Sequence, residues 1–233
     1  MKNKEKERVH GIPQEGLKAI ACITMLADHI GAIFFPEFVW LRIAGRISFP
    51  LFCFLLSEGA ARTRNPKNYA LRLIAGALIS EVPYDLAFFG RLTWGKQSVM
   101  VTLLIGYLAI WAMQHCKYRV ERFCICIVAG VLALISKCSY GTPGVAMMLM
   151  FYLTRGHRKR YLEQVLLVAG LCLLIPSQTV LVAGWQLPIQ LLGVAAMLFV
   201  CQYNGQKLSR STLLQSGFYL FYPAHLVFLL MLT

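Results

Sequence analysis

Nine apolar stretches, each near the length that crosses a bilayer, follow one another along this chain with only short polar connectors between them. They lie at about 16–35, 38–61, 69–90, 97–115, 120–136, 141–154, 161–179, 185–203 and 212–232. A helical crossing takes about 20 predominantly apolar residues. The succession therefore predicts an all-α, polytopic transmembrane helical bundle of about nine spans, one domain over residues 16–233 behind an N-terminal tail, 1–15. No residues are left for a separate soluble domain. The tail is polar and the first span carries Lys18, Asp28 and His29, so this span reads as retained rather than as a cleavable signal.

A net charge of +13 would point to nucleic acid in a soluble protein, but with 58% hydrophobic and 14% charged residues the placement of the cations says more than their sum. Lys2, Lys4, Lys6 and Arg8 precede the first span, and Arg62, Arg64 and Lys67 follow the second. Lys117, Arg119 and Arg122 follow the fourth, Arg155, Arg158, Lys159 and Arg160 the sixth, and Lys207 and Arg210 the eighth. Arg91, Lys96 and Lys137 stand on the other side. Alternate loops are thus basic, which places the N-terminus in the cytoplasm and supports the count of nine. The expected partner of the surface is the lipid bilayer, with no nucleic acid. The eight cysteines lie mostly within spans and show neither a disulfide framework nor metal-ligand spacing, so no metal is expected.

Ionisable side chains within a bilayer cost about 2.5–3.5 kcal/mol each near a helix centre, and those that remain usually face a cavity or a partner. Here they gather in the first three spans and the last: Lys18, Asp28 and His29, then Arg42, Arg46 and Glu58, then Arg72, Glu81 and Asp85, and finally His225. A cavity is therefore expected among these four helices. At the rise of an α-helix His29 falls about 20 Å from the cytoplasmic start of its span, in the outer half. Arg42, Arg46, Glu81, Asp85 and His225 reach the same level, as do Gln97, Thr102, Tyr140 and Gln186.

Lys18 and His29 share one helix face about 16 Å apart. A cation at the mouth and an imidazole deeper along the groove suit a long anionic donor such as an acyl-coenzyme A, with Lys18, Arg62, Arg64 and Arg72 meeting its phosphates. Lys18 alone also reads as a lysine reaching for the membrane interface. His29 is either a packing histidine or a base or acyl carrier for acyl transfer. Asp28 points about 100° away from it, so an orienting carboxylate is expected from another helix, with Glu58, Glu81 and Asp85 as candidates. Asp28 is matched instead to Arg42 or Arg46, which share one face and either pair with it or hold an oxyanion or anionic acceptor. Pro83 is expected to break the third span so that Ser80, Glu81, Tyr84 and Asp85 line the break. Tyr222 and His225 share a face of the last span, either lining the cavity or anchoring at the interface.

At these residues the chain resembles the TraX family. The resemblance runs from Gly16-Leu17-Lys18 and Ala27-Asp28-His29-Ile30-Gly31 through Arg42, Gly45-Arg46, Phe49-Pro50 and Glu58-Gly59. It continues through Ser80-Glu81-Val82-Pro83-Tyr84-Asp85-Leu86, Tyr140-Gly141, Tyr203-Asn204-Gly205 and Tyr222-Pro223-Ala224-His225-Leu226. It covers nearly the whole chain. The spacing from Lys18 to His29 is also similar to the basic-x10-His motif of membrane acyltransferases that modify cell-surface polysaccharides. The resemblance implies a protein of the bacterial cytoplasmic (inner) membrane, in a family whose named activity is acetylation of the N-terminal amine of a pilin subunit in conjugation. Acetyl-CoA is the implied donor, and the partners are a protein N-terminus or another cell-surface acceptor. Two departures stand out: Ser98 follows Gln97 where the family pattern has Asn, and Ser139 precedes Tyr140-Gly141 where it has Asp. Both fall near the expected cavity, so the acceptor is open to difference. A transporter or flippase using the same buried charges is the alternative, against which stand the odd span count and the lack of an internal repeat. A non-catalytic pilus assembly factor would leave the charge cluster without a purpose.

Overall fold

The computed structural model describes residues 11–157, 159–182, 185–208 and 212–233. The tail to residue 10, with Lys2, Lys4, Lys6 and Arg8, and the loop cations Arg158 and Arg210 lie outside the described residues. In chain order the elements are α1 (Gln14–Ile33), α2 (Val39–Gly45), α3 (Ser48–Arg62), α4 (Pro66–Phe89), α5 (Val99–Met113), α6 (Arg119–Ile135), α7 (Gly141–Leu153) and α8 (Arg160–Leu174). An antiparallel pair follows, β1 (Thr179–Val182) and β2 (Trp185–Pro188). A 3-10 helix (Ile189–Ala195) then runs into α9 (Ala196–Val200), and α10 (Thr212–Leu230) completes the series.

The helix ends are written locally. Asn65 accepts from the Asn68 backbone N–H at 3.1 Å with Pro66 behind it at the first helical position, which together start α4. Gly90, at φ 65°, closes the same helix in the left-handed conformation that glycine tolerates without cost. Glu121 starts α6 by accepting from the backbone N–H groups of Lys117 and Tyr118.

Buried α3 is the hub. It packs against α1, α5 and α7, while α10 lies along α4 and α6 covers α5 and α7. The core around this hub is apolar, yet it also holds ionic groups while large apolar side chains face outward. Asp28, Arg46, Glu58, Asp85, Gln190 and His225 are buried, whereas Ile23, Leu78, Val120, Phe123 and Leu134 are exposed. Two helical stretches, Gln14–Ile33 and Val39–Arg62, are long and apolar enough to cross a membrane, and shorter apolar helices cover Val99–Met113, Gly141–Leu153, Ile189–Val200 and Gly217–Leu230.

Three expectations are corrected. The second predicted span is two helices, because Pro50 has no N–H to offer the carbonyl of Arg46 and the chain tightens there into i to i+3 bonds, Arg46 to Ile43 and Ile47 to Ala44. The start of the eighth predicted span is not helical. Pro176 holds Ile175 extended at the end of α8, and the β-branched Thr179, Val180 and Val182 enter a hairpin in which Thr179 pairs with Pro188 and Val182 with Trp185. The expected break at Pro83 does not form: α4 runs through it, losing one backbone bond while α5 and α10 brace the helix.

Candidate functional site

Two cavities share a wall. The first, about 180 Å³, lies among α1, α3, α4, α5 and α10, and Lys18, Arg62, Arg72 and Lys207 give it a basic lining. The second, about 400 Å³, contains Asp28, His29, Arg42 and Arg46 together with Tyr84, Lys96, Ser139, Tyr140 and Gln190. Met25, Phe52, Val99 and Tyr222 face both, so they form the partition.

His29 Nδ1 lies 2.7 Å from Nε2 of His225. The direction of this bond follows from the next one, because His225 Nδ1 is 2.7 Å from the Phe221 carbonyl, which can only accept. His225 therefore carries its proton on Nδ1, and its bare Nε2 accepts from Nδ1 of a neutral His29. Nε2 of His29 is left with its lone pair free of any partner among the described residues, and the His29 side chain lines the second cavity. Phe88 meets the His29 ring edge-on at 5.1 Å and Phe221 stacks on His225 at 5.0 Å, which fixes both ring planes.

Asp28 is turned away from this pair. Its carboxylate meets Arg42 Nη1 at 3.0 Å and, through the same oxygen, Arg46 Nη2. Arg42 also donates to the Asp28 carbonyl at 2.9 Å, and Arg46 donates to the Arg42 carbonyl at 3.0 Å and to Gln190 Oε1 at 3.1 Å. Gly45 permits the arrangement, since a Cβ there would overlap the Asp28 side chain. Burial pushes the nearby Tyr140 phenol up to about 12, so it stays neutral at physiological pH and stacks on Phe49.

The orienting group of His29 is thus an imidazole, and the expected carboxylates are engaged elsewhere. Glu58 lines the first cavity, where it pairs with Arg155 and Arg62 at 2.6 Å each. Glu81 accepts from the Ser98 backbone N–H at 3.0 Å, at the start of α5, and Asp85 accepts from that of Thr93 at 2.8 Å. Both carboxylates hold the 90–98 loop, where unpaired amides sit nearer in the chain than any helix across the bundle. Arg62 is further tied to the Gly205 carbonyl at 2.9 Å. Arg64 lines neither cavity, nor do Gln97, Thr102 and Gln186.

Of the two departures from the family pattern, Ser139 is bonded to Gln97, the residue that precedes the other, Ser98. The Ser139 hydroxyl donates to the Gln97 carbonyl at 2.7 Å and so accepts from Tyr84 Oη at 3.2 Å. Lys96, adjacent in sequence, enters the second cavity. Gln190 and Lys207 were not singled out from the sequence as cavity residues. The trace of Gln190 is an amide inside the apolar run of the eighth stretch, between Gln186 and Gln202 nearer its ends.

Residues 13–233 match the family model described as TraX protein. The chain is 29% identical over 236 residues to a probable fimbrial assembly protein, FimC of serogroup H1, from Dichelobacter nodosus, a match that spans 91% of this chain and 92% of that one. It is 26% identical over 163 residues to protein TraX of Escherichia coli, spanning 69% of this chain and 63% of that one. An uncharacterized protein of Rickettsia prowazekii is 30% identical over 154 residues, across 64% of this chain and 58% of its own length. No solved structure matches the chain.

Proposed function

Since the chain belongs to the TraX family, we propose that it is a multi-pass protein of the bacterial cytoplasmic membrane. In this reading it transfers an acetyl group from cytosolic acetyl-CoA to an amine or hydroxyl on the outer side. The name of one relative, a probable fimbrial assembly protein, points to a fimbrial setting, and the N-terminal amine of a surface-fibre subunit is the acceptor class that fits it. The buried ionic groups and outward apolar faces suit a bundle with lipid as solvent. The alternation of basic loops supports nine crossings with the short helices and the hairpin segment packed among the longer ones.

The observation that carries the reading is His29 on the wall of one cavity, hydrogen-bonded from behind to His225, with a basic cavity beyond the partition. Lys18, Arg72 and Lys207 suit the phosphates of the donor, and Tyr69 and Tyr219 beside Arg72 suit an aromatic base. The thioester would reach His29 past Met25, Phe52, Val99 and Tyr222. As the acceptor's amine or hydroxyl attacks the thioester carbon, the lone pair of His29 Nε2 takes its proton. The new C–N or C–O bond forms, the C–S bond breaks, and the departing thiolate of CoA receives that proton. The imidazolium that forms transiently is held by its Nδ1–H bond to His225, whose own Nδ1–H is anchored on Phe221.

The test uses full-length protein in liposomes with labelled acetyl-CoA and a mixture of peptide and hydroxyl acceptors. Wild-type protein gives a covalently acetylated product and His29→Ala does not. Undiminished transfer by His29→Ala removes that residue from the chemistry, and movement of label without covalent product favours a transporter.

A further inference from the structure

We infer that the second cavity contains an oxyanion subsite, formed by Arg42, Lys96 and Gln190, which takes a phosphate or carboxylate carried by the acceptor. As an acceptor site it rests on the acetyl-transfer reading; as an anion site it stands on the geometry alone.

Three observations carry it. Gln190 is fully buried and its Nε2 has no hydrogen-bond partner among the described residues. The amide cannot be turned round to relieve this, because Oε1 is held by Arg46 Nη1 at 3.1 Å and a guanidinium has no acceptor to offer an amide N–H. A buried donor left unpaired costs about 1–3 kcal/mol, which a ligand oxygen at this wall would recover.

The second observation is charge. Asp28 is the carboxylate in the lining of this cavity, whereas Arg42, Arg46 and Lys96 are cations. Asp28 balances one of them, and two positive charges remain beside a neutral histidine. Among the described residues Lys96 has no ion pair.

The third is the division of labour between the arginines. Every nitrogen of Arg46 is engaged: Nε, Nη1 and Nη2 meet the Arg42 carbonyl, Gln190 and Asp28. Arg42 spends its Nη1 on Asp28, and its Nε and Nη2 have no partner among the described residues. A half-used guanidinium fork, an ammonium and an orphan amide N–H in one partly enclosed space match the several lone pairs of an oxyanion. An anion seated there would place the rest of the acceptor in the cavity that His29 lines.

Binding is the readout. Full-length protein in lipid nanodiscs is titrated with inorganic phosphate and, separately, with succinate, at ionic strength held constant with chloride, and the thermal midpoint is followed. Either anion is expected to raise the midpoint, and the one that does so identifies the group accepted. Lys96→Ala and Gln190→Leu are each expected to raise the half-saturating concentration at least tenfold, whereas Arg64→Ala, which lines neither cavity, leaves it unchanged. Lys96 is exposed, so its variant keeps the test valid if Gln190→Leu fails to fold. No stabilisation by either anion, or stabilisation abolished by Arg72→Ala and untouched by Lys96→Ala, overturns the subsite. Because no turnover is measured, loss of acetyl transfer leaves this result standing, and a negative here leaves the donor chemistry untouched.

Discussion

Nδ1 of His29 donates to Nε2 of His225 across 2.7 Å, joining α1 to α10 by a bond between residues 196 positions apart. An imidazole thus occupies the place that a carboxylate takes beside many catalytic histidines. It holds the His29 tautomer while adding no negative charge to a cavity that already contains two surplus cations.

Removing that acceptor should release the ring of His29 without touching the donor site. His225→Ala is expected to lower kcat by about 10–100-fold, below the 10²–10⁴-fold typical of losing the base itself, with KM for acetyl-CoA little changed. His225→Gln, whose carbonyl can accept from His29, should recover part of the loss. Steady-state kinetics of the three proteins decide it: equal deficits for Ala and Gln would assign His225 to packing rather than to positioning.

Gly45 sets how closely α2 approaches α1. A methyl group there overlaps Asp28, the shared partner of Arg42 and Arg46, so Gly45→Ala must shift the helix or break the ion cluster. Overpacking of this kind costs about 1–3 kcal/mol. The thermal midpoint of the purified variant should fall, and the stabilisation by phosphate or succinate should fall with it.

Much of the helical layout could be read from the residues. Asn65-Pro66 and Gly90 mark the ends of α4 by local chemistry, and the i, i+4 spacing of Arg42 and Arg46 put both guanidinium groups on the face that meets Asp28. The misreadings are non-local or competitive. Nothing near His29 in the chain identifies a partner on the last helix. Glu81 and Asp85 have the right depth to orient a histidine, but the amides of Ser98 and Thr93 claim them first. A hydropathy pattern also cannot separate a short hairpin from the start of a span when both are apolar, as at Val180 and Leu187.

The partition between the cavities should limit the acyl group. Tyr222 is buried and, with Met25, Phe52 and Val99, lies between the basic cavity and the histidine cavity. A wall of this kind discriminates one methylene by about 10–200-fold. Tyr222→Ala is expected to raise kcat/KM for butyryl-CoA relative to acetyl-CoA by about tenfold or more. Competition between the two labelled donors measures the ratio directly, and an unchanged ratio would mean that chain length is sensed elsewhere.

Donor affinity should divide the four cations first singled out for it. The Lys18 ammonium sits 5.0 Å from the Phe218 ring centroid, and the Arg72 guanidinium lies 5.7 Å from those of both Tyr69 and Tyr219. None of these contacts consumes the positive charge. Arg62 is already committed to Glu58 and the Gly205 carbonyl, and Arg64 lies outside the lining. Lys18→Ala and Arg72→Ala should therefore each raise KM for acetyl-CoA about tenfold at nearly constant kcat, the pattern of lost ground-state binding. Arg64→Ala should leave KM unchanged, while Arg62→Ala should lower the thermal midpoint more than it alters donor affinity. Added salt should mimic the first two variants by screening the phosphates. If Arg64→Ala matched Arg72→Ala, the donor would enter by a route other than the basic cavity.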